Sequence, residues 1–349
     1  MRLLAVVSLV ASALSAPIVA SPAHGQDADA VAAGAALYAK YCALCHGADA
    51  TGYAADNAPS LVSPQFLSAA DDRFLAGSIA LGRPGTAMAA YGAELGGPLQ
   101  PSETAQIVAF LRAKGPAPIQ LATPPEGSAK RGAPLYAANC ASCHGDRRTH
   151  GTAPHLANAT FLALATDAYL YDAIARGRDG TQMKGYAGEL DEQQIADLVA
   201  YLRSWADDRA AIQAATASVP PPAGPIVVNP DGPPAEFTPR EGRFVPVDDV
   251  KRALDEGRRM VIIDARATSD WQREHITGAI SVPYYALTGL DRVPNDGTWV
   301  IAYCACPHHA SGVVVDELRR RGYPHAAVLD EGIRVWVERG YPVTRRGGS

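Results

Sequence analysis

An internal duplication constrains this chain more than any other feature. The segment GAALYAKYCALCHG, Gly34 to Gly47, returns as GAPLYAANCASCHG, Gly132 to Gly145, at an offset of 98 residues. FLAGSIALGRPGTAMAAYGAEL, Phe74 to Leu95, returns as YLYDAIARGRDGTQMKGYAGEL, Tyr169 to Leu190, at an offset of 95. IVAFLR and LVAYLR close the two units at Arg112 and Arg203, so the shrinking offset places small deletions in loops. Such self-similarity marks one compact unit used twice. The units span residues 30–112 and 127–205. At roughly 80 to 90 residues each is small enough to fold poorly unless something fills its core.

The filler is written in the cysteines. Each unit holds one CxxCH, from Cys42 and Cys45 to His46 and from Cys140 and Cys143 to His144. That spacing reads as covalent attachment of a c-type haem: two thiols three positions apart reach both vinyl groups of one porphyrin, and the next histidine lies beneath the iron. A structural zinc site needs a second cysteine pair, which neither unit supplies. A thioether is the ligand that raises the potential of such an iron. Of four methionines, Met88 and Met183 stand at matched places in GRxGTxM, 42 and 39 residues after their histidines, and are expected as the sixth ligands.

With these residues in place, each repeat resembles a class I c-type cytochrome, which implies an all-α fold around one haem and a role in electron transfer. The resemblance further implies that the carbonyls of Pro59 and Pro154 accept a hydrogen bond from the ligating imidazoles, fixing their orientation. It also implies that Arg83 and Arg178 neutralise haem propionates. The family often has proline directly after the methionine, where this chain has Ala89 and Lys184.

Beyond Trp205 the pattern fades into a proline-dense linker, residues 206–243, which is expected to be extended and semi-rigid. Strand and helix then alternate. MVIIDAR, ISVPY, TWVIAYC and AAVLD read as strands, and VVVDELRRRG and GIRVWVERG as helices. That order predicts an α/β domain with a parallel sheet over residues 244–345. Asp264, Arg266, His275, Gly278 and Ala279, with Trp336, Gly340 and Pro342 near the end, resemble the landmarks of the rhodanese family.

The rhodanese resemblance implies that Cys304, where the TWVIAYC strand ends, is a nucleophile that carries sulfane sulfur as a persulfide. Loop amides and the positive end of the following helix would favour its thiolate. Rhodaneses commonly follow this cysteine with glycine and arginine, whereas here stand Cys306, Pro307, His308 and His309. Proline removes one amide from the cradle, and histidine offers only a conditional charge. Three readings stay open: a Cys304/Cys306 pair that passes electrons to the haems, a Cys-x-Cys-x-His-His site for a soft metal, or a degenerate loop that only binds a partner or a small anion.

Residues 1–25 read as a cleaved secretory signal, with Arg2 ahead of an apolar stretch. No later segment is long and apolar enough for stable membrane insertion, so the expected location is the periplasm. With 31 basic against 36 acidic residues and no basic stripe, nucleic acid is excluded as a partner. The chain is thus expected to be a periplasmic cytochrome with two covalently bound haem c groups. Its rhodanese-like domain would couple the handling of a small sulfur compound to haem reduction, with a separate protein as redox partner. The alternative is a pure electron carrier whose third domain is a docking or metal-binding module.

Overall fold

A computed structural model describes residues 27–55, 58–149, 151–206, 225–305 and 308–345. The expected signal, residues 207–224 of the linker and Cys306 lie outside them.

The first unit is built of α1 (Ala28–Tyr41), α2 (Ala43–His46), α3 (Pro64–Ala69), α4 (Asp72–Leu81) and α5 (Pro101–Arg112). The second repeats it as α6 (Ala129–Asn139), α7 (Ala141–His144), α8 (Ala159–Leu164), α9 (Asp167–Arg176) and α10 (Glu192–Arg203). Local chemistry sets the boundaries. The Asp71 carboxylate accepts from the Phe74 N–H at 2.6 Å, and Thr166 does the same for Tyr169 at 3.1 Å, so each helix opens on a cap. Gln100 with Glu103, and Asp191 with Gln194, form capping boxes at α5 and α10.

The first and last helix of each unit cross at a glycine because nothing larger fits. A Cβ at Gly34 would lie 1.9 Å from the Gln106 carbonyl oxygen, and one at Gly132 would lie 2.0 Å from that of Asp197. The arginine that ends each repeat then latches the bundle. Arg112 is buried and donates to Asp72 and to the carbonyls of Leu67 and Ala70; Arg203 does the same to Asp167, Leu162 and Ala165.

The two units meet through the same face. Helix α3 packs on α9 and α4 on α8, a reciprocal pairing of equivalent helices. At its centre Phe74 stacks on Tyr169, with ring centroids 4.6 Å apart, and Phe161 meets Phe74 edge-on at 6.3 Å. Asn158 donates to the Pro84 carbonyl at 2.8 Å, and Gln65 to the Asp179 carboxylate.

The third unit is α/β, with five parallel strands in the order β1-β6-β5-β2-β4: β1 (Phe244–Val245), β2 (Val261–Asp264), β4 (Ile280–Ser281), β5 (Val300–Tyr303) and β6 (Ala326–Leu329). An antiparallel pair, β3 (Glu274–Ile276) with β7 (Val343–Arg345), lies apart. Every residue of β2, β5 and β6 is buried, as central parallel strands covered on both faces must be. The end of the expected linker is not a free spacer. Val228 bridges Met260 in antiparallel fashion, Pro234 bridges Arg259, and Ala235 is buried in this unit's core. Proline density marks extended backbone, and extended backbone also suits an added sheet edge.

The third unit docks on the first through tyrosines. In the second unit the Tyr186 hydroxyl donates directly to the Asn139 carbonyl at 2.8 Å. In the first unit the equivalent pair is Tyr91 and Tyr41, and Tyr284 of the third unit is inserted between them. Its hydroxyl donates to the Tyr41 carbonyl at 2.7 Å and lies 3.0 Å from the Tyr91 hydroxyl. Tyr285 packs edge-on against Tyr41 at 5.0 Å, and Ser269 donates to the Ala90 carbonyl at 2.6 Å. No helix among the described residues is long and apolar enough to cross a membrane.

Candidate functional site

Each CxxCH folds as one short helical turn, α2 or α7, directly after a long helix. The Tyr38 hydroxyl donates to the Gly47 carbonyl at 2.8 Å and Tyr136 to Gly145 at 2.9 Å, tying the turn back to that helix. His46 Nδ1 lies 2.9 Å from the Pro59 carbonyl oxygen, and His144 Nδ1 lies 2.7 Å from that of Pro154. A carbonyl only accepts, so Nδ1 carries the proton and the Nε2 lone pair is left for a metal. Burial lowers the pKa of both imidazoles, which keeps them neutral as a ligand must be. Burial, and next Cys45, pushes the Cys42 thiol up to about 12, and burial, and next Cys143, pushes Cys140 up to about 11.

The methionine loops are rigid without the missing proline. Arg83 N–H donates to the Met88 carbonyl at 2.7 Å, the Thr86 hydroxyl donates to the Arg83 carbonyl at 2.8 Å, and Met88 N–H donates back to that hydroxyl at 3.1 Å. Arg178, Thr181 and Met183 repeat the three bonds at 2.7, 2.7 and 3.1 Å. Gly85 and Gly180 turn each loop at φ of 82° and 76°, a conformation open to glycine. This is why GRxGTxM recurs whole. One neutral imidazole, one thioether and two thiols per unit fit a covalently attached haem.

Arg83 and Arg178 both reach the seam between the units. Arg83 lies over Phe74 at 5.8 Å and Phe161 at 5.6 Å, and burial lowers its pKa to about 10. Arg178 lies over Tyr169 at 5.7 Å and donates to its hydroxyl at 3.3 Å.

Cys304 directly follows β5 and is buried at 2% exposure, with its Sγ 3.3 Å from the Ser311 Oγ and its carbonyl accepting from Ile333 N–H at 3.1 Å. The helix that follows runs from His309 to Arg320, starting two residues earlier than Ser311. Behind the cysteine, Arg266 is paired with Asp264 at 2.6 Å, and the Tyr303 hydroxyl donates to the same carboxylate at 2.8 Å. Burial opposes the Arg266 charge, but the Asp264 carboxylate outweighs it and holds the guanidinium above its ordinary pKa.

A cavity of about 30 Å³ joins this loop to the first unit. Its lining includes Cys304, Arg266 and Tyr284 on one side and Leu44, Cys45 and Ala87 on the other. Leu44 and Ala87 pack onto the hydrophobic cluster that contains Cys304. The volume is enough for a water-sized species. Arg266 thus reaches the cavity wall with its charge balanced by Asp264, and the Asp270 carboxylate lines the same cavity.

The two histidines are placed otherwise. His308 adopts φ of 78°, hydrogen-bonds the Asp330 carboxylate at 3.0 Å and packs at a tilt against Phe244, ring centroids 4.2 Å apart. His309 is exposed, and neither histidine lines the cavity. Among the described residues no three His, Cys, Asp or Glu side chains converge as a metal site. Sequence reasoning missed Tyr284, Tyr285 and Ser311. It also missed the docking face, although a signal was there: Leu44, Ala87 and Ala89 of the first unit are matched by Ser142, Gln182 and Lys184 of the second.

Fold and site together define a c-type cytochrome with two cytochrome domains, the first of them sharing a cavity with an α/β domain. The chain belongs to the c-type cytochromes and ends in a rhodanese-like domain. The family model for cytochrome c oxidase, cbb3-type, subunit III matches residues 29–111 and 127–202, and that for the rhodanese-like domain matches residues 246–339. The chain is 30% identical over 183 residues to the cbb3-type cytochrome c oxidase subunit FixP of Bradyrhizobium sp., covering 50% of this chain and 60% of that protein. It is 40% identical over 85 residues to cytochrome c55X of Stutzerimonas stutzeri, covering 24% of this chain and 73% of that one. Its C-terminal part is 28% identical over 105 residues to the probable adenylyltransferase/sulfurtransferase MoeZ of Mycobacterium tuberculosis, covering 29% of this chain and 26% of that protein. The chain therefore spans 60% of FixP, somewhat under two thirds, and about a quarter of MoeZ.

Proposed function

We propose that this is a periplasmic dihaem cytochrome that draws electrons from reduced sulfur at Cys304. The carrying observation is that Cys304 and Cys45 line one cavity. His46 with Met88, and His144 with Met183, would hold the two irons, and Arg83 and Arg178 would meet the propionates. Bound haem c supplies a one-electron centre to each cytochrome domain. The Arg266 guanidinium, its charge balanced by Asp264, brings a polar group to the cavity, and Ser311 positions the Cys304 sulfur. Joining the Cys304 thiol to hydrogen sulfide as a persulfide releases two electrons and two protons, which matches two one-electron centres. Handing the outer sulfur to a thiophilic acceptor restores the thiol. Tethering holds the sulfur site at high effective concentration beside its electron acceptor.

Rapid mixing of the oxidised protein with sulfide, polysulfide, thiosulfate or glutathione persulfide, followed by haem absorbance, tests this. The proposal fails if no donor reduces the wild type faster than Cys304→Ser. Mass spectrometry of Cys304 reads the persulfide directly. A second reading, in which the third domain only shields the first, is favoured by the apolar packing of Leu44 and Ala87. It requires a Cys304 that stays unmodified.

A further inference from the structure

The second cysteine of each CxxCH would attach to the porphyrin rim, so the surfaces around Cys45 and Cys143 would mark equivalent haem edges in the two cytochrome domains. Their surroundings differ. Around Cys45, Leu44 and Ala87 pack into the third domain, Ala89 is buried, and Tyr284 is inserted between Tyr91 and Tyr41. Around Cys143, which is itself exposed, the matching Ser142, Gln182 and Lys184 are all exposed. The loops carrying Arg83 and Arg178 instead meet at the Phe74–Tyr169 stack between the two domains. One edge is thus closed by the chain itself, and the other is open.

Charge then says what the open edge fits. Arg147 and Arg148 are exposed beside Cys143, and neither has an acidic partner among the described residues. The Asp146 carboxylate accepts the backbone N–H groups of Arg148 and Thr149 at 2.7 and 2.8 Å and keeps its negative charge, offsetting one of the two arginines, while Glu189 is paired with Lys184 at 2.7 Å. At the repeat offset of 98, the counterparts of Arg147 and Arg148 are Asp49 and Ala50. The basic face therefore belongs to the second domain alone, on a chain whose formal charge is −5.

We propose that the face around Cys143, with Arg147 and Arg148, is the docking site of a separate electron carrier that presents an acidic surface. It deepens the reading above by giving electron flow a direction, in at the Cys304 cavity and out past Cys143. Opposite charge steers such encounters and makes them depend on salt.

The test uses the haem-loaded full chain and a plastocyanin-type acidic blue-copper protein as probe. Binding is followed by calorimetry at low and at physiological ionic strength. The wild type should bind the probe at low ionic strength and release it as salt rises. Arg147→Glu with Arg148→Glu should weaken binding by about tenfold or more, while Asp49→Lys on the first domain leaves it unchanged. The proposal is overturned if the double variant binds like wild type, if Asp49→Lys alters binding as much, or if the wild type binds anionic lipid vesicles and not the probe. Cys304→Ser should bind as wild type does, so failure of the sulfur reading and failure of this one give different results.

Discussion

Phe74 and Tyr169 hold the same place in the two repeats, 95 residues apart, and stack on one another with ring centroids 4.6 Å apart and planes inclined by 28°. A position that is matched to itself across an interface makes the contact two-fold in character. It also places the two arginine-bearing loops on either side of one aromatic seam.

Truncating Phe74 to alanine removes a buried ring and should destabilise the cytochrome pair by about 3–5 kcal/mol. Phe74→Leu and Tyr169→Leu keep most of the burial and isolate the stack. A double-mutant cycle by denaturant unfolding should return a coupling of about 0.5–1.5 kcal/mol. A coupling of zero would show that the rings merely fill space.

Gly34→Ala and Gly132→Ala should each force their helix pair apart, because the new methyl meets a backbone carbonyl rather than a yielding side chain. Overpacking of this kind costs about 1–3 kcal/mol or more. Thermal unfolding of the haem-loaded protein measures it, and an unchanged midpoint would contradict the helix crossing described.

Arg266→Met leaves the Asp264 carboxylate buried at 0% exposure without its cation. The loss should be about 3–5 kcal/mol in the rhodanese-like domain, and Asp264→Leu with Arg266→Met should recover much of it. Haem absorbance of the single variant should stay that of wild type, since the pair touches no haem ligand.

His275 gives the third domain a pH dependence. Desolvation is the largest influence on its imidazole and lowers its pKa below 6.5, although the Trp271 carbonyl, 2.7 Å from Nδ1, pulls the other way. The unfolded chain therefore binds a proton that the folded one resists. Stability contributed above pH 6.5 is lost as pH falls through the folded pKa. Urea midpoints of the third domain should fall as pH drops below that value, and His275→Gln should flatten the slope.

Much of this was legible because duplication repeats every essential residue. The haem motif, the GRxGTxM loop and the terminal arginines all occur twice, and each proves to have a structural job in both copies. The histidine hydrogen bonds to Pro59 and Pro154 followed from family resemblance and are present. The α/β order was readable because β2, β5 and β6 are short runs buried throughout and apolar but for Asp264 at the end of β2 and the Tyr303 hydroxyl at the end of β5. What escaped was long-range. Tyr284 lies 243 residues from the carbonyl it binds, and no local pattern announces such a pairing. His308 and His309 looked like chemistry by their neighbours in sequence, yet a left-handed turn at His308 sends its ring to Asp330.

The reciprocal seating of α3 on α9 and α4 on α8 has an arithmetic consequence. A face that recognises its own duplicate is saturated once two copies have met, so a further cytochrome unit appended to this chain would find no vacancy there. Tandem multiplication halts at a pair. Any enlargement of the chain must then recruit a module of another shape, and the rhodanese-like domain has one.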